Sequence, residues 1–237
     1  MIQPLPWDSK FFGLHIGRLE LTGGLQLNNF KKEIAKFDLV YIFSSEPLNL
    51  KGTEMGYHGS RLELEINPPF STCDLLMPSD EKVGELVAPG FEEKEDLFPL
   101  ARESGYCSRF LGDPVLKLNF QKFYDRWMQL ILDRKDKIWV CRENGNLIGM
   151  VTLQINDGEG KLGLMAVQKM ARRKGVGKAL MLGLSQKANL LGLKKIRVVT
   201  QGENSAGVGF YYSMGFKKVL CQYVYHWHNP TLKKKEG

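Results

Sequence analysis

The sequence predicts an α/β protein in which strands and helices both build the core. Three observations predict it. Segments 15–21 and 61–66 alternate apolar and polar residues, as half-buried strands do. Segment 176–191 carries Val176, Leu180, Leu184, Ala188 and Leu191 on one stripe, the spacing of a helix. Of the 237 residues, 43% are apolar, which rules out wholesale disorder and is enough for a sizeable core.

Taken in order, the first half reads as short strands with loops. After the strand at 15–21, residues 29–36 suit a short helix, and the apolar run 39–43 suits a buried strand. Residues 67–80 hold two adjacent prolines and several turn formers, so a loop is expected there. Residues 81–87 read as a helical turn, and the acidic stretch 92–96 as a solvated face or loop. Residues 101–120 form the junction, with Gly112–Pro114 as the clearest punctuation. Beyond it, Phe120, Phe123, Tyr124, Trp127, Leu130 and Ile131 recur at helical intervals over 120–132. A hairpin follows, 137–142 and 147–155, turning on the pair Asn144-Gly145. Residues 160–200 then run strand (162–167), basic glycine loop (172–177), helix (176–191) and strand (196–200). A helix at 205–214 and a strand at 217–227 close the chain.

Charge divides the same chain differently. Residues 1–112 hold 11 Lys+Arg against 17 Asp+Glu, a net of −6, whereas residues 113–237 hold 22 against 9, a net of +13. A strongly basic half has an anion to meet: nucleic acid, a membrane surface or a phosphate-rich small molecule. The four cysteines (Cys73, Cys107, Cys141 and Cys221) lack any Cys-x-x-Cys spacing, which speaks against a zinc ribbon or a disulfide scaffold. No apolar run approaches the ~18 to 20 residues of a membrane span, and the start, MIQPLPWDSKFFG, does not read as a signal peptide. A reduced cytoplasmic compartment is the expectation. Lys233–Lys235 read as a solvated tail, giving a division into 1–112, 113–229 and 230–237.

The chemically informative segment runs from Val167 to Leu180. A glycine-rich turn that follows a strand and opens a helix aims several backbone N–H groups at one point, and Lys169, Arg172, Arg173, Lys174 and Lys178 add positive charge. Such a turn suits a diphosphate-like anion. A P-loop would need glycine where Arg172 stands and a hydroxyl where Ala179 stands, so nucleotide hydrolysis is disfavoured. A dinucleotide fingerprint would need a third glycine at Leu180. The pattern Arg/Gln-x-x-Gly-x-Gly fits as it stands, at Arg172, Gly175 and Gly177. A second motif lies downstream, Asn204-x6-Tyr211-x3-Gly215-Phe216, again after a strand and opening a helix.

This pair of motifs resembles the GNAT superfamily of acyl-coenzyme A-dependent N-acyltransferases, over residues 120–228. The resemblance implies a mixed, mostly antiparallel sheet flanked by helices, preceded by a smaller α/β N-terminal domain on the acceptor side. It implies acetyl-CoA as cosubstrate, with Met165, Ala166 and Val167 pairing with the pantetheine arm. Arg172, Arg173, Lys174, Gly175, Val176, Gly177 and Lys178 would surround the pyrophosphate, with Asn204, Phe210 and Tyr211 completing the coenzyme site. Tyr211 is the implied general acid. Segments 5–13 (LPWDSKFFG) and 101–110 (ARESGYCSRF) are similar to the TDP-fucosamine acetyltransferase group, which acetylates an amino-sugar linked to a nucleotide. Ser104, Ser108 and Arg109 are then candidates for the sugar or its diphosphate, and a homodimer is a candidate assembly.

Other assignments stay open. No general base is visible: Asp157, Glu159, Glu203 and a water relay all compete. His226 and His228 flank Trp227 on one strand face, but two histidines without a third ligand favour a structural role, so no metal is expected. The acceptor could instead be a protein, a polyamine or an antibiotic, and the fold could serve a non-catalytic acyl-CoA sensor. Nucleic acid is not expected as a partner, because the aromatics sit at core spacings rather than as stacking platforms.

Overall fold

The computed structural model describes residues 1–21, 30–51, 53–70, 82–85 and 91–231, without the side chains of 82–85 and 91–93. Cys73, the lysines at 233–235 and most of the loop expected at 67–80 lie outside the described residues. The elements begin with β1 (Gln3–Pro4), α1 (Pro6–Phe12), β2 (Ile16–Leu21), α2 (Lys31–Ile34), β3 (Leu39–Ser44), β4 (Met55–Ile66) and β5 (Lys82–Glu85). They continue with α3 (Phe91–Ser104), α4 (Arg109–Gly112), α5 (Phe120–Asp133), β6 (Lys137–Glu143), β7 (Asn146–Asn156) and β8 (Glu159–Val167). The last are α6 (Val176–Leu190), β9 (Lys195–Gln201), α7 (Ser205–Ser213) and β10 (Lys217–His228). No described helix is long and apolar enough to cross a membrane.

The chain folds into two compact units that interleave along the sequence. Unit one takes Met1–Leu62, Gln201–Glu203 and the residues from Leu220 on; unit two takes Glu63–Thr200 and Asn204–Val219. The junction at 112–114 therefore falls inside unit two, and β4 and β10 contribute residues to both.

In unit one the strand order is β1-β2-β3-β10-β4. β2 and β3 run parallel from Ile16↔Leu39 to Leu21↔Ser44, while β10 lies antiparallel on the other edge of β3. All six residues of β3 are buried. A strand paired on both edges and covered on both faces must be apolar throughout, which is why this run does not alternate. Val40 and Ile42 pack with Leu19, Leu21, Phe30, Ile34, Phe37, Tyr225 and Trp227 in one apolar cluster.

In unit two the order is β4-β9-β8-β7-β6-β5. β5 to β8 form an antiparallel meander, and β8 joins β9 in parallel after the α6 crossover. The β6–β7 turn has Asn144 at φ 51 and Gly145 at φ 83, the left-handed pair that an Asn-Gly hairpin is chosen for. α6 lies close on the sheet: a Cβ added at Gly149 would stand 3.0 Å from Val176 and 3.1 Å from Leu180.

Two local expectations need correction. Residues 82–85 are not a helical turn; they form β5, antiparallel to β6 from Lys82↔Arg142 to Glu85↔Trp139. A four-residue segment has too little periodicity to choose its own structure, and an available strand edge decides it. The acidic stretch 92–96 belongs to α3, a 14-residue helix with Pro99 in its interior. That proline breaks the sequence signal for a helix, although Leu97, Leu100 and Ala101 bury the apolar face that holds it.

Candidate active site

All of the coenzyme-motif residues discussed next lie in unit two. β8 is laddered to β7 from Asn156↔Glu159 to Gly149↔Val167, but its register with β9 covers only Glu159↔Lys195 to Lys161↔Arg197. The pairing of the two parallel strands stops at Lys161. The β9-facing edge of residues 162–167 is left outside that ladder. Such an edge offers backbone donors and acceptors to an extended ligand, in the manner of an added strand. Met165 and Val167 are half-buried there, and Ala166 is buried.

The chain leaves β8 through a 3₁₀ turn, Lys169–Ala171, and enters α6 at Gly175. Gly175 is the N-cap at φ 91, a left-handed conformation that a side chain would strain, and no side chain caps the helix. The opening amides of α6, at Val176, Gly177 and Lys178, precede the first intrahelical bond, Ala179 N–H to the Gly175 carbonyl at 3.0 Å. Together with the helix dipole they make an anion seat. Arg173, Lys174 and Lys178 are exposed around it.

Arg172 departs from the implied phosphate role. Its guanidinium is ion-paired to Glu103, donates from Nε to the Val167 carbonyl at 3.2 Å and lies 4.8 Å over the Tyr106 ring. It fastens the end of β8 to α3 instead of facing outward with its neighbours.

The second motif opens α7. Asn204 is its N-cap, the Oδ1 accepting the Gly207 N–H at 3.0 Å and the Tyr106 hydroxyl at 2.8 Å. Tyr106 thus touches one residue from each motif. Phe210 packs beside Gly177, where an added Cβ would meet its ring at 3.4 Å and the Met165 methyl at 3.6 Å. Tyr211 is buried, its hydroxyl 3.8 Å from Met165 Sδ and its ring edge-on to Phe210 and Phe216. Burial pushes its pKa well above that of an ordinary tyrosine. Tyr212 is exposed.

The residues proposed for the acceptor have local partners. Ser104 Oγ donates to the Ala101 carbonyl at 2.6 Å, and Ser108 caps α4 by accepting the Phe110 N–H at 3.2 Å. The Arg109 guanidinium lies 4.4 Å over the Phe110 ring. Within the same segment, Glu103 and Tyr106 are the residues that reach the coenzyme motifs. Only the polar–aromatic pattern around Gly105 hinted at them.

Glu159 faces Lys195 at 3.7 Å and Arg197 at 3.9 Å, which disfavours it as a base. Glu203, in unit one, accepts the Ser60 N–H and the Tyr57 hydroxyl, each at 2.9 Å. Partial burial would raise its pKa, but the Ser60 N–H and the Tyr57 hydroxyl outweigh that and hold it below the ordinary carboxylate range. Tyr57 is pushed up to about 12 by burial and by the Glu203 carboxylate. A carboxylate with a lowered pKa stabilises the fold above its unfolded pKa and loses that contribution as pH falls through the folded one. Glu203→Gln should therefore lower stability near pH 7 by about 1 kcal/mol after solvent screening, with the gap closing below about pH 4. Urea melts of both proteins across pH check this.

Unit one also resolves the histidine question differently from the spacing alone. His58 on β4 joins His226 and His228, the third nitrogen donor that two residues on one strand could not reveal.

Comparison with known proteins agrees with the fold. The family model described as "Acetyltransferase (GNAT) family" matches residues 98–216, beginning within α3. The chain is 28% identical over 170 residues to the spore coat polysaccharide biosynthesis protein SpsD of Bacillus subtilis (strain 168), covering 71% of this chain and 57% of SpsD. It is 31% identical over 147 residues to the peptidyl-lysine N-acetyltransferase YiaC of Escherichia coli (strain K12), covering 59% of this chain and 90% of YiaC. Among solved structures, a conserved protein of unknown function from Staphylococcus epidermidis ATCC 12228 superposes with a TM-score of 0.62 at 13% identity, over 90% of this chain and 84% of that one. The chain belongs to the acetyltransferase (GNAT) family.

Proposed function

We propose that the protein moves an acetyl group from acetyl-coenzyme A to the amine of a nucleotide-linked amino-sugar. The observation that carries the acyl-CoA half is the open edge of β8 running toward the uncapped start of α6, with Tyr211 beneath Met165. Pantetheine pairs with the edge at Met165, Ala166 and Val167, and the pyrophosphate sits on the amides of Val176, Gly177 and Lys178. Arg173, Lys174 and Lys178 lend charge, while Arg172 positions the strand end. Asn204 and Phe210 line the arm. The neutral amine attacks the thioester carbon, and the carbonyl oxygen gains charge against backbone N–H groups at the end of β8. As the C–S bond breaks, the thiolate takes the Tyr211 phenol proton. The new amide's surplus proton leaves through water, which restores the phenol and needs no dedicated carboxylate.

The sugar half rests on segments 5–13 and 101–110 and on the similarity to SpsD, whose name places it in polysaccharide biosynthesis. The similarity to YiaC favours a second acceptor, a peptide lysine. Incubation with acetyl-CoA and a panel of TDP- and UDP-amino-sugars, lysine peptides and polyamines, followed by free thiol, separates them. Turnover on an amino-sugar at least about tenfold above any peptide is expected. Turnover on peptides alone would overturn the sugar assignment and leave the acetyl transfer standing.

A further inference from the structure

Three of the chain's four histidines meet in unit one, away from the residues of both coenzyme motifs in sequence. His226 and His228 stand two apart on β10, so their side chains share a face. His58 comes from β4, the neighbour of β10 in the strand order of that unit. One ligand nitrogen from each of the three lies within 4.8 Å of the other two. His226 is fully buried, stacked on His58 with ring centroids 4.1 Å apart and beside Tyr41 at 4.9 Å. His58 and His228 are half-buried, which leaves an approach from solvent.

We propose that His58, His226 and His228 form a binding site for a divalent transition-metal ion of the zinc class. Near pH 7 an imidazole is mostly neutral and carries one basic lone pair. Three such nitrogens at this separation suit a single soft-to-borderline cation, for which imidazole is a preferred donor. Zinc–nitrogen bonds of about 2.0–2.1 Å put tetrahedral donors roughly 3.4 Å apart, so ring rotations of about an ångström close the site. The ion would tie β4 to β10 within unit one.

The test is titration of the untagged, chelator-treated full chain with cobalt(II), read by calorimetry and by visible d–d absorption. One ion per chain is expected, with the intense bands of a tetrahedral nitrogen-bound site. His58→Gln and His228→Gln, chosen because neither side chain is fully buried, should each weaken cobalt(II) binding by at least about tenfold. His15→Gln should leave it unchanged. Metal-free melts of each variant show whether it folds. Absence of stoichiometric binding to the wild-type chain would overturn the proposal. So would binding that survives both substitutions, or that is lost equally in His15→Gln.

Discussion

Tyr211→Phe should lower kcat by about 10²- to 10⁴-fold while leaving coenzyme A affinity within about twofold of wild type. The substitution keeps the ring against Phe210 and Phe216 and removes only the hydroxyl beside Met165. Packing, and with it the anion seat at α6, is therefore retained. On the proposed mechanism, what is lost is the proton for the departing thiolate. Burial raises the Tyr211 pKa, so the phenol holds its proton across the range in which an enzyme is assayed. A raised pKa also makes a weaker acid, but the sulfur it serves is shifted as well. A thiolate released in the same dry surroundings is itself more basic than in water, so donor and acceptor shift together. It follows that kcat should show no alkaline limb from Tyr211 below about pH 10. Steady-state kinetics on the best acceptor, with calorimetry of coenzyme A binding, checks both parts. Unchanged turnover would remove Tyr211 from the acid role and leave it a packing residue.

The contrast between Tyr211 and Tyr106 marks how far the sequence carries. Tyr211, Asn204 and the Gly175–Gly177 turn are local features. Their spacing sets a helix start or a strand-to-helix turn, and both motifs adopt the structures that their residues predict. The Asn144-Gly145 hairpin is legible for the same reason. Tyr106 is not, because its role depends on α3 bringing it to Arg172 and Asn204, residues 66 and 98 positions away. Arg172 shows the converse. Its motif position is evident, but the partner that turns its side chain inward, Glu103, is 69 residues distant. The interleaved units are hidden similarly. Nothing in the alternation of β10 says that Tyr223 to His228 will pair with β3, yet that pairing returns the end of the chain to unit one. His58, His226 and His228 meet only through that return, which is why spacing offers two histidines and the fold brings three together. Local chemistry is written in short windows, whereas pairing across long separations is decided by burial of whole faces.

Gly175→Glu should weaken coenzyme A binding by about 100-fold or more, the second large effect. Two independent costs combine. Gly175 sits at φ 91, where an L side chain costs about 1–2 kcal/mol. A Cβ there meets nothing within 4 Å, so the penalty is conformational and not steric. The carboxylate then stands at the N-terminus of α6, where the pyrophosphate would be, and replaces attraction for the ligand by repulsion. Gly175→Ala separates the terms, since it carries the backbone cost without the charge. Its coenzyme affinity should fall by about tenfold at most if the loop holds its shape. The additional loss in Gly175→Glu should shrink as salt is raised from 0.05 to about 0.5 M, because screening acts on the charge and not on φ. Equal losses in the two variants at every salt concentration would mean that the loop's conformation alone governs binding. Normal affinity in Gly175→Glu would move the pyrophosphate away from this helix start altogether.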